Sequence, residues 1–260
     1  MTGYERIEDL KRLDFIARNV QMRKPASTRI LDIGCGNGIM SVYLGGLGYR
    51  VHGIDISQKA IDKARTGNKL SHVTFEVVAA ERMAASGMTY DVVVCSEVLE
   101  HLEDPHALAA AIHRLLHDNG TLIVTIPNGR GPREVVTRPM QRIQGNARLS
   151  RLVTGVKDLL GYDGATIQSA AENLRHKQFF SKASLINLLE SAGFRLTRFR
   201  HADFIEAVFP YSLLTRRFRS LQRLDCILAD LLPSFLASGF YTLWSKHAGL
   251  NHDVLTQRAP

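Results

Sequence analysis

The chain has 260 residues, of which 45% are hydrophobic and 22% charged, and its formal net charge is +8. This composition is typical of a soluble globular protein, and no stretch approaches the roughly 18 to 20 apolar residues of a membrane-spanning helix. The mixed charges of residues 1–12 are unlike those of a secretory signal. Three widely spaced cysteines (Cys35, Cys95 and Cys226) are typical of a reducing compartment, so a cytoplasmic location is expected.

Helices and strands alternate through the first half of the sequence. Apolar residues recur at helical spacing in 4–22, which predicts an amphipathic helix. Later helices are predicted to follow Asn37, Ser57 and Asp104, the last two as N-cap residues. Strands that alternate with helices form a parallel, doubly wound sheet with right-handed crossovers. Five strands are predicted in this half, at 29–33, 51–56, 73–78, 90–95 and 121–126.

The second half of the sequence interrupts this alternation. Residues 128–178 are rich in glycine, proline and arginine and show no strand pattern, which is typical of a lid that binds substrate. A helix capped by Ser181 and a strand over 194–200 follow, and residues 204–237 are predicted to form an apolar helical insertion before a last strand at 238–245. The predicted units are a core with an N-terminal helix (1–127), the lid (128–178) and a completion of the sheet (179–260).

A glycine-rich turn follows the first predicted strand. After Asp32, the residues Gly34, Gly36 and Gly38 alternate with small residues, and a helix pattern begins at once. Glycine tolerates positive φ and lets a ligand lie against the backbone, and doubly wound sheets bind nucleotides at such a corner. The spacing differs from the G-x-G-x-x-G of dinucleotide-binding turns. Asp55, at the end of the second strand, is predicted to accept hydrogen bonds from ribose hydroxyls.

Two further segments, at 90–102 and 120–127, complete a family resemblance. With them, the chain resembles the class I S-adenosylmethionine-dependent methyltransferases, most closely the branch of the ubiquinone-biosynthesis O-methyltransferases. The resemblance implies a Rossmann-like sheet of seven mostly parallel strands with an antiparallel last strand. The family often has an acid at the position of Ala79, so a backbone contact or Glu81 would replace it at the adenine here. The resemblance implies that core residues 1–127 bind S-adenosylmethionine through Asp32, Gly34, Cys35, Gly36, Gly38, Asp55, Ile56, Ala80, Glu81 and Ser96.

Carboxylates and histidines follow the fourth predicted strand. Glu97, Glu100 and His101 have the i, i+3, i+4 spacing that places side chains on one face of a helical turn, and such a cluster favours a divalent cation. With His176, the pattern resembles the metal site of RNA 3′-terminal 2′-O-methyltransferases and of ubiquinone-pathway enzymes. The resemblance implies Glu97, Glu100, His101 and His176 as ligands of Mg²⁺, Mn²⁺ or a similar ion. In the alternative, both glutamates are solvated and His101 packs over the cofactor.

The chemistry of these side chains favours methylation of oxygen. A neutral hydroxyl is a poor nucleophile, so a base must remove its proton or a cation must lower its pKa. His101 and Glu100 are the predicted catalytic residues. The predicted acceptor is a small or lipid-linked catechol, quinone precursor or sugar, bound by 128–178 and 204–237.

Two other functions stay open. The first is a metal-dependent RNA terminal-ribose 2′-O-methyltransferase, favoured by seven basic residues in 130–157 but weakened by the lack of interleaved aromatic residues. The second is a non-catalytic partner that only binds S-adenosylmethionine. Basic residues beside the apolar segment 204–237 also predict peripheral contact with the inner face of a membrane.

Overall fold

A single sheet of seven strands organises the described part of the chain. The structure is a computed structural model and describes residues 6–132, 134–135, 176–206, 208 and 211–246, without the side chains of Leu213 and Arg216. The strands in chain order are β1 (Arg29–Ile33), β2 (Arg50–Asp55), β3 (Val73–Val77), β4 (Tyr90–Ser96), β5 (Leu116–Pro127), β6 (Phe194–His201) and β7 (Gly239–Lys246). They lie side by side in the order β3-β2-β1-β4-β5-β7-β6.

The directions of the strands confirm the predicted architecture. The pairs β1–β2, β2–β3, β1–β4 and β4–β5 are parallel. Strand β7 runs antiparallel to both β5 and β6, so the last two strands form the predicted hairpin. Because β1 and β4 lie between two layers of helices, they are nearly continuous runs of buried aliphatic residues.

Eight α-helices are described around the sheet, and their caps agree with the sequence. The Ser57 side chain accepts from the backbone N–H of Ala60, Asp104 accepts from two backbone N–H groups, and Ser181 forms a capping box with Ser184. The helices are α1 (Ile7–Val20), α2 (Ile39–Gly46), α3 (Gln58–Gly67), α4 (Ala80–Met83), α5 (Pro105–Leu115), α6 (Lys182–Ser191), α7 (Tyr211–Arg217) and α8 (Arg219–Leu231). None of these helices is long and apolar enough to cross a membrane.

Two apolar cores cover the two faces of the sheet. On one face α4, α5 and α6 bury leucines such as Leu108 and Leu185 around Trp244. On the other face α1, α2 and α3 bury Ile16 and Ile61, among others. Both cores are therefore built from helix stripes of the predicted spacing, and they hold the carboxyl ends of the parallel strands at one common edge.

One strand begins earlier than predicted, and most of the predicted lid is not described. Strand β5 begins at Leu116 rather than at 121, because Leu116 pairs with Tyr90 after an irregularity in register, and His117 therefore lies in the strand and not in the helix. Most of the predicted lid, residues 136–175, lies outside the described residues. Its two ends meet, since the backbone N–H of Gly129 donates to the carbonyl of Phe180 at 2.7 Å.

Candidate active site

A cavity of about 1060 Å³ opens at the carboxyl ends of the parallel strands. Ligands bind at this edge of doubly wound sheets, because the strand ends and the following loops converge there. Nine of the ten residues predicted to contact the cofactor line the cavity; the exception is Gly38. The four predicted metal ligands, Glu97, Glu100, His101 and His176, line the same cavity.

The glycine-rich turn forms one wall of the cavity. The backbone of Gly34 has φ +68° and that of Gly36 φ +54°, which only glycine adopts without strain. The N–H groups of Gly34 and Cys35 donate to the carbonyl of Ile54 at 2.8 and 3.0 Å, so the turn is tied to β2. Gly38 does not line the cavity because it packs on the opposite side, where a Cβ atom would come within 2.6 Å of Phe75 Cζ. The structure thus shows close packing at Gly38, and its predicted contact with the cofactor stays a prediction.

Two aspartates support this wall in different ways. Asp55 accepts from the N–H of Gly36 at 3.0 Å and from the N–H of Ser57 at 2.8 Å, and each carboxylate oxygen keeps a further lone pair for a ligand. Asp32 is buried beneath the turn and accepts from the hydroxyl of Ser41. Burial raises the pKa of Asp32 to about 7, and the neighbouring charge of Asp55 acts in the same direction.

The far end of the cavity offers an apolar surface next to β2 and β3. The side chain of Ile56 is 77% exposed at the end of β2, as expected for a residue that packs on a planar ring. Ala79 precedes α4, where its side chain gives no cap, and Ala80 and Glu81 form the first turn. The Glu81 carboxylate is therefore the polar side chain available at the position where the resembling family often has an acid.

Glu97 has an unusual backbone and a partner that the sequence did not predict. Its φ of +58° is the only positive value of a non-glycine residue among the described residues, a strain found mainly at functional sites. Ser96 donates to Thr125, whose hydroxyl donates to the Glu97 carboxylate at 3.0 Å. The same carboxylate lies 3.8 Å from the Arg12 guanidinium. Thr125 and Arg12 thus contact the Glu97 carboxylate, and Glu97 lies outside the group of three side chains whose ligand atoms converge, Glu100, His101 and His176.

The remaining three predicted ligands do converge. One ligand atom from each of Glu100, His101 and His176 lies within 4.8 Å of the others. Nε2 of His101 is 3.6 Å from Oε1 of Glu100, and the two histidine rings are 5.2 Å apart. Two distant segments meet here because the N–H groups of Lys177 and Gln178 donate to the carbonyl of Glu100 at 2.8 and 2.9 Å.

Glu134 adds a second carboxylate beside this cluster. Its Oε1 atom is 3.4 Å from Nδ1 of His176, and its side chain is buried. In the sequence, Glu134 is the one acid in the basic segment 130–157, and this pattern predicts no role for it. Its position in the sequence could have indicated a role in the site, because Glu134 follows the end of β5 as Glu97 and Glu100 follow the end of β4.

A network of charges on α1 was also missed. The Arg12 side chain is buried, donates to Asp9 and lies 3.9 Å from the Glu8 carboxylate. The Tyr241 hydroxyl donates to Glu8 at 2.7 Å, which joins α1 to β7. The helical spacing of 4–22 predicted only the apolar face, but the spacing of Glu8, Asp9 and Arg12 marks a second, charged face on the same helix.

The charges of this network are set by burial and by one another. Burial raises the pKa of Asp9 to about 7, and the Glu8 charge adds to the rise. Burial also opposes ionisation of Glu8, but Arg12 and Arg6 reverse the effect and hold its pKa below the ordinary value. Likewise, Glu8 and Glu97 outweigh burial and raise the pKa of Arg12. The Arg12 guanidinium therefore lines the cavity in its charged form, with the carboxylates of Glu8, Asp9 and Glu97 beside it.

The side of the cavity next to α1 and β7 is more polar than the sequence predicted for an acceptor site. Among the described residues of 204–237, none lines the cavity; the neighbouring Asp203, Ser238 and Tyr241 do. Asp203 and Tyr241 are buried, and the predicted apolar helices face elsewhere. The described acceptor wall thus consists mainly of α1, the end of β7 and the loop after β6.

Comparison with known proteins identifies the family. The model of a methyltransferase domain matches residues 4–198. The ubiquinone biosynthesis O-methyltransferase of Thiobacillus denitrificans is 41% identical over 115 residues, which are 43% of this chain and 50% of the relative. The chain thus spans about half the length of the curated relatives it matches.

Solved structures share the fold at low sequence identity. One chain of the complex between the Haloferax volcanii Trm112 methyltransferase activator and the putative methyltransferase has a TM-score of 0.60 at 15% identity, and the match covers 94% of this chain and 93% of that chain. Magnesium protoporphyrin IX methyltransferase from Synechocystis PCC 6803, with bound SAH, has a TM-score of 0.56 at 16% identity and covers 92% and 84%. The chain belongs to the methyltransferase domain family, which confirms the resemblance to class I S-adenosylmethionine-dependent methyltransferases.

Proposed function

We propose that the protein transfers the methyl group of S-adenosylmethionine to a hydroxyl group of a small or lipid-linked acceptor, such as a catechol, a quinone precursor or a sugar. The observation that carries this proposal is the position of Glu100, His101 and His176 in the same cavity as the glycine turn and Asp55. The names of the partial relatives, ubiquinone biosynthesis O-methyltransferases, support the same chemistry.

The cofactor is proposed to lie along the strand ends. Asp55 accepts hydrogen bonds from the ribose hydroxyls, and the exposed side chain of Ile56 packs on the adenine. The turn at Gly34 and Gly36 faces the methionine part. The guanidinium of Arg12 is suited to the methionine carboxylate, because a buried arginine binds a carboxylate through charge-assisted hydrogen bonds.

The acceptor hydroxyl is proposed to lie against His101. The imidazole accepts the hydroxyl proton while the oxygen attacks the methyl carbon, and the bond from that carbon to the sulfonium sulfur breaks, leaving neutral S-adenosylhomocysteine. The charge of Glu100, whose Oε1 atom is 3.6 Å from His101 Nε2, stabilises the imidazolium that forms. An amine acceptor would not need a base of this kind, so oxygen is favoured over nitrogen.

The donor set of this cluster also fits a divalent cation. One carboxylate and two imidazoles suit Mn²⁺ or Fe²⁺ better than Mg²⁺, which prefers oxygen ligands. Glu100, His101 and His176 would hold the ion, with Glu134 beside His176. When bound, such an ion supplies Lewis acidity that lowers the pKa of the acceptor hydroxyl. His101 is then a ligand, so dependence on metal distinguishes the two roles of this residue.

The same cluster would also suit the alternative function, methylation of a terminal ribose of RNA. A terminal ribose presents two adjacent hydroxyls, as a catechol does, but most of the basic segment 130–157 lies outside the described residues. The described acceptor wall contains several carboxylates, including Asp9 and Asp203, which disfavour a phosphate backbone. The non-catalytic alternative does not explain the convergence of the cluster in the cofactor cavity.

The test is a transfer assay with labelled S-adenosylmethionine against catechols, lipid-linked sugars and short RNAs, with and without a chelator. We expect a hydroxyl product from a small or lipid-linked acceptor, and loss of turnover in Glu100→Gln. The matched control is Glu190→Gln, since Glu190 is exposed on α6 and is not among the residues that line the cavity. Transfer to RNA alone, or full activity of Glu100→Gln, would overturn the proposal.

A further inference from the structure

The outer face of α7 and α8 is apolar. Among the described residues, thirteen large hydrophobic side chains are exposed, and seven of them lie between 214 and 235. The others are spread over the rest of the chain, and one of them, Ile56, belongs to the cofactor cavity. Exposed apolar side chains concentrated in one segment in this way mark a binding surface. The patch, called the outer apolar face below, consists of Leu214, Phe218, Leu224, Ile227, Leu228, Leu231 and Phe235.

Helix α8 buries polar side chains and exposes apolar ones, which is the reverse of an ordinary surface helix. A surface helix normally buries its apolar stripe and exposes its polar side chains. In α8 the polar side chains of Gln222 and Asp225 are buried, together with Cys226 and Ala229. The leucines and the isoleucine are exposed instead, at positions 224, 227, 228 and 231, and the i, i+3, i+4, i+7 spacing places them on one face.

Hydrogen bonds fix this orientation. The carboxylate of Asp225 accepts from the N–H groups of Phe204 and Ile205 at 2.8 and 3.0 Å. The side-chain oxygen of Gln222 accepts from the N–H of Ile7 at the start of α1. Rotating α8 to bury its leucines would leave these backbone groups without partners, which is costly in a buried site. The exposure of the apolar stripe is therefore built into the fold.

The charges beside the outer apolar face are positive. Arg217, Arg219 and Arg223 are exposed next to it. Of the two acids in α8, Asp225 is buried and Asp230 pairs with Lys11 at 3.1 Å. An apolar stripe bordered by arginines matches the headgroup boundary of an anionic bilayer, where the apolar side chains enter and the guanidinium groups bind phosphates.

We infer that the outer apolar face docks this protein on an anionic lipid surface, with α8 lying in the plane of the interface. A second copy of the chain is a poorer occupant, because a two-fold contact would bring each arginine border toward an identical one. The inference does not depend on the acceptor, but a protein held at a bilayer has direct access to a lipid-linked one.

Vesicle co-sedimentation of the full chain tests this inference. We expect binding to vesicles of phosphatidylcholine with phosphatidylglycerol, weakening with salt, and little binding to phosphatidylcholine alone. The double variant Ile227→Ser with Leu231→Ser should bind anionic vesicles at least about tenfold more weakly than the wild type. The double variant Arg219→Gln with Arg223→Gln should lose the preference for anionic lipid. The matched control is Met22→Ser, because Met22 is 74% exposed outside the face and should leave binding unchanged.

Three results would overturn the inference. The first is that the wild type does not bind anionic vesicles. The second is that the variant of Ile227 and Leu231 binds them as well as the wild type does. The third is that the Met22 control loses as much vesicle binding as that variant. Light scattering without lipid is the further check: a dimer that this variant converts to monomer would assign the face to self-association instead. The replaced side chains are exposed, so unfolding temperatures of all variants should match that of the wild type.

Discussion

The two ends of the cavity are built in different ways. The cofactor end consists of backbone turns that follow β1 and β2 directly, with Asp55 holding the N–H of Gly36. The acceptor end joins side chains that are far apart in the chain, such as Glu100 and His176. A site made of consecutive residues leaves a local pattern in the sequence, whereas a site made by tertiary contacts does not. The following predictions test this contrast, beginning with the largest effect.

Removing the charge of Glu100 should stop catalysis and leave cofactor binding intact. We expect Glu100→Gln to lower turnover by about 10²- to 10⁴-fold, the range for loss of general acid–base catalysis. Calorimetry should give an unchanged affinity for S-adenosylmethionine, because Glu100 lies at the acceptor end. Equal losses in both quantities would show that the two ends are not separable.

Removing Asp55 should have the opposite result. Asp55→Ala should weaken binding of S-adenosylmethionine by about ten- to a hundredfold, since hydrogen bonds to a charged group contribute roughly 1.5–3 kcal/mol. The control is Asp62→Ala, an exposed aspartate on α3. An unchanged affinity in the Asp55 variant would remove the ribose assignment.

Adding a methyl group in the glycine-rich turn should destabilise the fold. In Gly34→Ala the new Cβ atom would clash with Val98 Cγ2 on a backbone with φ +68°, so we expect a loss of about 1–3 kcal/mol in the free energy of unfolding. Gly46→Ala is the matched control, because a Cβ atom there has nothing within 4 Å and the helix gains stability. Chemical denaturation measures both variants; similar values would refute the close packing of the turn.

Buried acids should make stability fall as the pH rises. The folded-state pKa of Asp32 is raised to about 7 from an ordinary value of 3.8, so between these values the folded chain binds more protons than the unfolded chain. The stabilisation is fully present below the lower value and is lost as the pH rises to about 7. Asp32→Asn should flatten the dependence of the unfolding free energy on pH in this window, and Asp62→Asn should not.

Local patterns were sufficient to predict the sheet, and nine of the ten residues predicted to bind the cofactor line one cavity. The boundaries of β1 and the caps at Ser57, Asp104 and Ser181 follow from neighbouring residues, and the structure confirms them. The early start of β5 at Leu116 was not visible, because it depends on pairing with Tyr90 in another strand. Long-range pairing is information that a single segment does not carry.

The acceptor end shows where local patterns fail. Glu97 matches the spacing of a metal ligand, but the Thr125 hydroxyl and Arg12 hold its carboxylate. Glu134 approaches His176 only because the ends of a long insertion meet. A charged face on α1 is ordinary on a surface helix, and only its burial shows that it forms the wall of the cavity.

One structure tests the account most directly: that of the protein crystallised with S-adenosylhomocysteine. The account predicts the ribose on Asp55, the adenine on Ile56 and the sulfur atom facing the Glu100, His101 and His176 cluster. A nucleoside bound outside this cavity, or a sulfur atom separated from the cluster by protein, would contradict it.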